Sequence, residues 1–529
     1  MKLKYLNIIM AFAGIMYLAS CTKDLDRFPT NAVTSEVVYS TPAGYKQALA
    51  KIYGAFALTG NNGPAGSPDI QGIDEGTSDF LRLYWKAQEL STDEAVVAWN
   101  DPGIQDFHNM NWSSANPMLI GLYNRIIYQI TVANEFIRES TDAKLSSRGI
   151  SGADAENIKK YRAEARFLRA YQYWVAMDLF GRPPFITELN EIGANAPQQV
   201  TSRSALFTYI ENELKGIESE LAAAKSNEYG RADKAAAWAL LARLYLNANI
   251  YTGTPRYTDA ITYAKKVIDA GYTLHSDYRQ LMLADNHLNT NEFILTINYD
   301  GLKTKNFGGT TFLTHAAVGD NMNPANFGIN GGWYGIRTTK NIPNLFPDYN
   351  GTADKRAQFQ QNNLDINDLS KFVDGFAITK FRNVTRAGVA GSDPSGDFVD
   401  VDFPIFRLPE MYLIYAEAVL RGGTGGDATT ALGYINALRT RAYGNASGNI
   451  TAAQMDLNFI LNERARELYW EGHRRTDLIR FDRFVEGTYL WPWKGGVKDG
   501  RAMPAHLKLY PLPVTDLAAN PNLSQNPGY

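Results

Sequence analysis

Apolar residues recur every three or four positions through most of this chain, which is the pattern of helices with one buried face. The clearest case is residues 161–180, where Leu168, Val175 and Leu179 share one side and Gly181 marks the end. The same spacing predicts further helices at residues 234–247, 259–270, 408–421, 428–442 and 457–471.

These helices occur as pairs, with small residues such as Ala235, Ala239 and Ala242 at positions where two helices cross closely. The pairs do not recur at a fixed period, so any repeat is degenerate and interrupted by insertions. We therefore predict a mainly α fold with a tetratricopeptide-like scaffold of helical pairs, covering about residues 36–290 and 405–485.

Two regions, about residues 60–118 and 298–404, break the helical pattern. They are rich in Gly, Asn, Pro and aromatic residues, and short β-like runs occur at residues 293–297 and 377–381. Long irregular segments of a compact protein are usually either functional or disordered, and the aromatic content favours order. We predict that these loop-rich regions bind a ligand and that the tail, residues 486–529, extends across the helices.

The N-terminus has the features of an export signal. Lys2 and Lys4 precede an apolar run at residues 6–18 that is short for a membrane span, and Ala19 and Ser20 precede Cys21. This resembles a bacterial lipoprotein signal: residues 1–20 are removed, and acyl chains on Cys21 anchor the body, residues 21–529, to a membrane. The alternative is an ordinary secretory peptide in which the cysteine is accidental.

Composition and charge exclude several classes of function. The 52 Lys and Arg residues against 55 Asp and Glu give a net charge of −3 without a long basic run, so nucleic acid is not an expected partner. The six histidines form no metal-binding pair, and no cysteine besides Cys21 offers a nucleophile. Aromatic residues reach 12%, more than a core requires, and their flat faces and polar edges suit sugars.

We therefore do not expect an enzyme. The enzymatic alternative is an all-helical glycosidase or lyase that uses two acids, such as Asp93 with Glu94 or Asp74 with Glu75. Such catalysis needs carboxylates that face each other across a cleft, which neighbours on one loop rarely do.

Four stretches resemble the SusD/RagB family of outer-membrane nutrient-binding lipoproteins. They are AEARFLRA through LFGR at residues 163–182, PIFRLPEMYLIYAEA at 404–418, NERAREL with EGHRRTDLIR at 462–480, and YPLP with NPNLSQNPGY at 510–529. The resemblance spans the predicted mature chain. It implies a lipid-anchored protein on the outer surface of the outer membrane, lying over a SusC-like TonB-dependent transporter.

The loops resemble those of the family's starch-binding founder, in stretches such as SPDIQGIDEG (67–76), AWND (98–101), KTKNFGG (303–309) and NGGW (330–333). The resemblance implies a starch-type α-glucan ligand held by an aromatic arc of Trp99, Phe307 and Trp333. The polar contacts that it implies come from Asp74, Arg82, Asn330 and either Asn100 or Asp101. Phe307 stands where the founder has Tyr, so a stacking face is kept and a phenol is lost. The alternatives are another glycan, a peptide nutrient, or ordinary packing of Trp99 and Trp333.

A structural calcium ion is also implied. Asp400 and Asp402 lie two residues apart, Asp285 lies in a loop, and carboxylate oxygens suit calcium. The acids that correspond to these in the founder resemble a calcium site. The alternative is that they are solvated loop acids.

Overall fold

A computed structural model describes residues 34–62, 64, 66–70, 72–73, 76–193 and 195–529. Cys21, the predicted signal peptide and Asp74 lie outside these residues. No helix in the described ranges is long and apolar enough to cross a membrane. The α-helices of the described ranges are Ser35–Val38, Pro42–Gly54, Phe80–Glu89, Asp106–Asn109, Pro117–Glu139, Asp142–Ser147, Gly152–Phe180, Arg203–Gly216, Lys234–Leu246, Ala248–Thr252, Tyr257–Asp269, Gly309–Ala316, Leu408–Leu420, Ala428–Tyr443, Leu457–Leu468, Arg474–Arg480 and Val514–Ala519.

The prediction of a mainly α fold is confirmed. Helix Lys234–Leu246 packs on Tyr257–Asp269, which packs on Leu408–Leu420, which in turn packs on Ala428–Tyr443. Ala235, Ala239 and Ala242 are fully buried in the first of these helices, as close helix contact requires. The helical pairs therefore stack in space although about 140 residues separate them along the chain.

The longest helix, Gly152–Phe180, begins well before the predicted position 161. Its first turns are mostly exposed and polar, with Ile158 buried among them, so an apolar period is weak there. The helix packs against Pro117–Glu139, whose start is fixed by Asn116: the side chain of Asn116 accepts hydrogen bonds from the backbone N–H groups of Met118 and Leu119.

Region 60–118, predicted to be irregular, contains the helix Phe80–Glu89. All ten residues of this helix are buried, including Arg82 and Lys86. Its polar side chains are buried together with its apolar ones, and the polarity of the sequence did not indicate that burial. Region 298–404 likewise contains the fully buried helix Gly309–Ala316.

Strands in the described ranges form short antiparallel pairs. The pairs are Gly60–Asn62 with Gly66–Pro68, Val96–Val97 with Ile336–Arg337, Phe293–Ile297 with Phe403–Arg407, and Phe359–Gln360 with Ala377–Ile378. The strand predicted at residues 293–297 is confirmed, and the one predicted at 377–381 ends at Ile378. These pairs connect distant parts of the loop-rich regions to each other and to the scaffold.

Buried charges join the last scaffold helices to the rest of the chain. Glu467 accepts hydrogen bonds from Arg407 and Arg441, and Arg356 lies 3.4 Å from its other oxygen. Arg475 donates to the backbone carbonyl of Lys508 at 2.9 Å, which fastens the C-terminal tail. The charges around Glu467 therefore form a structural network between elements, in which carboxylate and guanidinium groups pair with each other.

Candidate functional site

A two-residue ladder brings Trp99 and Trp333 together although 234 positions separate them. Val96–Val97 pairs with Ile336–Arg337, so the residues just beyond the ladder on each strand are neighbours. The indole Nε1 of Trp99 donates to the carbonyl of Trp333 at 2.9 Å. The two ring centroids lie 6.5 Å apart with their planes tilted by 46°.

Gly335 makes this approach possible. A Cβ atom at position 335 would lie 2.3 Å from the ring of Trp99, so any larger residue would displace the indole. The same segment is tied to the end of helix Gly309–Ala316, because the N–H of Trp333 donates to the carbonyl of His315 at 2.8 Å and that of Gly335 to Ala316 at 2.9 Å.

His315 packs against one face of the Trp333 indole. The imidazole stacks on the indole with ring centroids 4.7 Å apart and an angle of 22°. Burial lowers the pKa of His315, so the ring is neutral, and its Nδ1–H donates to the carbonyl of Gly331 at 2.7 Å. One face of Trp333 is therefore covered by a fixed flat ring, and the side chain as a whole is half-buried.

Arg82 lies at the centre of the predicted aromatic arc. Its guanidinium carbon is 5.9 Å from the ring centroid of Trp99, 6.0 Å from that of Trp333 and 4.5 Å from that of Phe312. Its Nη1 donates to the carbonyl of Phe307 at 2.6 Å. One guanidinium group thus lies beside two rings of the arc and binds the backbone of its third residue.

The ring of Phe307 is the most exposed of the three. It is 36% exposed and packs against Phe398 with ring centroids 5.5 Å apart. Trp99 and Trp333 are half-buried and pack against the core. Each ring is therefore held by neighbours on one side and retains accessible surface.

Asp79 ties the starts of the helices Phe80–Glu89 and Gly309–Ala316 to each other. Its Oδ1 accepts from the backbone N–H groups of Arg82 and Gly309, both at 3.1 Å. Burial raises the pKa of Asp79, while these two N–H groups and the Arg82 charge oppose that rise. A Cβ atom at Gly308 would lie 1.3 Å from the other carboxylate oxygen, so glycine is required at that position.

The polar residues predicted to contact the ligand lie in different surroundings. Asn100, Asp101 and Asn330 are exposed, and the amide of Asn330 donates to the carboxylate of Asp397. Arg82, by contrast, is only 7% exposed. Arg82 and Asp101 share a cavity of about 330 Å³ whose apolar wall includes Leu83 and Met118. The ligand contacts of all these residues stay predictions.

The three acids predicted to bind calcium are engaged by protein donors. Asp402 accepts from the Tyr299 N–H and the Tyr229 hydroxyl, and Asp400 accepts from the Gly301 N–H. Asp285 accepts from the N–H of Arg386. Within the described ranges, no three His, Cys, Asp or Glu side chains form a group that could hold a metal ion. Calcium binding at Asp285, Asp400 and Asp402 therefore stays a prediction.

The acids of the enzymatic alternative that the structure describes belong to the scaffold. Asp93 is fully buried and pairs with Arg474 through two hydrogen bonds of 2.7 Å. Glu94 is 2% exposed and accepts from the backbone N–H of Trp470. Buried positions of this kind give a substrate no access.

Glu94 lies beside another buried carboxyl group, Glu89. Burial raises the pKa of Glu94 to about 7, with the charge of Asp93 adding to the rise and Arg474 opposing it. Burial and the neighbouring Glu94 raise the pKa of Glu89 as well. The two carboxyl groups therefore share a proton at neutral pH.

This pair should make folding stability depend on pH. The folded protein keeps a proton that the unfolded chain releases near its ordinary pKa, so the free energy of unfolding falls as pH rises from about 4.5 to about 7. The expected slope is up to about 1.4 kcal/mol per pH unit. Urea unfolding across this range should give a flatter profile for the double variant Glu89→Gln, Glu94→Gln, which has no carboxyl group at this place to keep the proton. An identical slope in wild type and variant would contradict the shared proton.

Predictions from the sequence missed three members of this site: Phe312, His315 and Gly335. Phe312 and His315 belong to a helix inside a region predicted to be irregular. A signal existed in the run from Gly308 to Ala316, where two glycines precede seven residues without Gly or Pro. Gly335 carried no signal beyond being a glycine, because its role depends on a ring that is distant in sequence.

Comparison with known families and proteins gives consistent results. A family model described as "SusD family" matches residues 354–529, and one described as "Starch-binding associating with outer membrane" matches residues 86–246. The starch-binding protein SusD of Bacteroides thetaiotaomicron is 36% identical over 590 aligned positions, covering all of both chains. SusD-like protein P25 of Formosa agariphila is 25% identical, covering 99% of this chain and 98% of its own.

Solved structures share the fold at lower identity. A laminarin-binding SusD-like protein superposes with a TM-score of 0.67 and 21% identity, covering 92% of this chain and 99% of its own. Surface glycan-binding protein A from Bacteroides thetaiotaomicron, in complex with laminarihexaose, gives a TM-score of 0.69 and 19% identity at the same coverage. At these identities the likeness concerns the fold alone.

Proposed function

Because this chain belongs to the SusD family, we propose that it is a non-catalytic glycan-binding protein whose ligand is starch-type α-glucan, such as maltooligosaccharides, amylose or amylopectin. The observation that carries the proposal is the gathering of Trp99, Phe307 and Trp333 around Arg82. The starch-binding name of the relative with 36% identity supports α-glucan over other glycans.

The geometry suits a curved polymer of sugars. Apolar C–H faces of glucose stack on aromatic rings, and the hydroxyl groups around each sugar need polar partners. The planes of Trp99 and Trp333 are tilted by 46°, so successive sugars that stack on both must follow a bend. Coiled α-glucans bend in this way, whereas straight cellulose-like chains do not. Asn100, Asp101 and Asn330 are exposed and supply the polar partners in this proposal.

The proposal includes a place in the cell. Acyl chains on Cys21 anchor the protein to the outer membrane, and the ligand passes to a SusC-like TonB-dependent transporter. The family model whose description names the outer membrane supports this location. An apolar run followed by Ala19, Ser20 and Cys21 supports the anchor.

Native affinity electrophoresis tests the proposed ligand. Migration of the protein should be retarded in gels that contain amylopectin and unchanged in gels that contain hydroxyethyl cellulose. Incubation with amylopectin should release no new reducing ends. Retardation by laminarin alone would support a different glycan, and new reducing ends would support the glycosidase alternative.

We propose that Asp285, Asp400 and Asp402 bind a structural calcium ion. Carboxylate and backbone oxygens are the ligands that calcium prefers. A ligand that binds the folded state alone raises its stability, so calcium should raise the unfolding temperature of protein treated with chelator. Asp400→Asn should remove that rise, whereas the exposed Asp365→Asn should keep it. A rise of equal size in both variants would contradict the assignment.

A further inference from the structure

Tyr334 follows Trp333 directly and has an unusual combination of exposure and backbone strain. Its φ is +54°, in the left-handed region that bulky residues rarely adopt, and its side chain is 51% exposed. Strained residues persist where the surrounding structure holds them, and they cluster at ligand sites. The strain at Tyr334 therefore needs an explanation.

Burial does not supply that explanation. Within the described ranges, the other aromatic residues with positive φ are Trp470 and Trp493. Trp470 is fully buried, and the indole of Trp493 donates to the carbonyl of Ile366 at 2.9 Å. Tyr334 leaves half of its surface in contact with solvent, so packing compensates less for its strained backbone.

Neighbouring residues hold the ring of Tyr334 in place. A Cβ atom at Gly319 would lie 2.7 Å from this ring, so the ring lies directly against the glycine backbone. The buried Phe372 contacts it edge-on, with ring centroids 5.8 Å apart. The backbone N–H of Tyr334 donates to the carbonyl of Val318 at 3.0 Å. An exposed ring that is already ordered loses little entropy when a ligand binds.

The backbone of Tyr334 lies next to both indoles. Trp99 donates to the carbonyl of Trp333 and its ring lies against Gly335, so this indole spans the backbone of Tyr334. The side chain of Tyr334 thus starts one residue from Trp333, at the edge of the aromatic arc.

We infer that Tyr334 is a further glycan contact, a fourth ring that binds a sugar beyond those held by Trp99 and Trp333. This inference rests on the proposed function and extends it to chain length. A ligand long enough to reach Tyr334 gains a contact that a short ligand cannot make, so the residue gives the site a preference for longer α-glucans.

Isothermal titration calorimetry with maltoheptaose and maltotriose tests this inference. Because a stacked ring contributes a factor of about five or more on truncation, Tyr334→Ala should weaken maltoheptaose binding by about tenfold and maltotriose binding by less than about twofold. Tyr334→Phe keeps the ring and should stay within about threefold of wild type for both sugars. Tyr349→Ala is the matched control, because Tyr349 also contacts a buried ring, Phe376, edge-on.

A second variant covers the case in which Tyr334→Ala folds poorly. Tyr334→Gly removes the ring and also relieves the positive φ, so it should lose the same affinity without a lower unfolding temperature. Wild-type affinity of both variants for maltoheptaose would overturn the inference while leaving the proposed function intact, provided that Trp99→Ala still weakens binding. A wild-type protein that binds neither sugar would overturn the proposed function and this inference with it.

Discussion

The double variant Trp99→Ala, Trp333→Ala is expected to lose α-glucan binding and to unfold only a few degrees below wild type. Each stacked ring contributes about 1–3 kcal/mol on truncation, by analogy with bases stacked on aromatic side chains. Losing both should therefore weaken binding by at least about 30-fold. Both side chains are half-buried at the edge of the core, so the fold depends on them less than the ligand does.

Trp238→Ala is the matched control for this experiment. Trp238 is also half-buried, and its indole donates to the carboxylate of Glu218 at 2.9 Å, much as Trp99 donates to a carbonyl. Affinity gels with amylopectin should show normal retardation for Trp238→Ala and none for the double variant. Normal retardation of the double variant would contradict the site, and so would equal loss in the control.

Glu467→Gln is expected to have the largest effect on stability. This carboxylate is fully buried and lies among Arg407, Arg441 and Arg356. Burial alone would raise its pKa, but the three guanidinium groups lower it to about 2. Removing one partner of a buried ion pair typically costs about 3–5 kcal/mol, because the remaining charges are left uncompensated. Urea unfolding at neutral pH should show a loss of this size.

Glu228→Gln provides the comparison. Glu228 pairs with Lys46 at 2.9 Å, but both side chains are more than half exposed, so its replacement should cost less than about 1 kcal/mol. The lowered pKa of Glu467 also predicts how its contribution to the free energy of unfolding changes with pH. Its contribution is present above the ordinary carboxyl pKa and is lost as pH falls toward 2. Equal stability of Glu467→Gln and Glu228→Gln would contradict the network.

The scaffold could be predicted from the sequence because its helices bury one face against neighbours. Lys234–Leu246 and Leu408–Leu420 end within one residue of their predicted limits for this reason. Helix Phe80–Glu89 also carries the apolar spacing of a helix, with Phe80, Leu83 and Ala87 on one face, but its polar face is buried as well. Periodicity indicates which face is apolar, and it does not indicate that the opposite, polar face is also covered.

The prediction of the candidate site rests on family resemblance rather than on the spacing of apolar residues. The prediction of Trp99, Phe307 and Trp333 rests on loops that resemble those of a known family, and the structure brings these residues to one arginine. The two-residue ladder that joins the loops is too short for any sequence pattern to reveal. Arg82 is predicted to contact a sugar hydroxyl group. It is nearly buried, however, and donates a hydrogen bond to the carbonyl of Phe307, so much of its role is to position the arc.

A crystal structure with a bound cyclic maltooligosaccharide is the most direct test of the proposed binding site. We expect sugar rings stacked on the accessible surfaces of Trp99 and Trp333, with Phe307 at the same ligand and polar contacts from Asn100 or Asp101. A sugar bound elsewhere on the protein, with these three rings free of ligand, would contradict it.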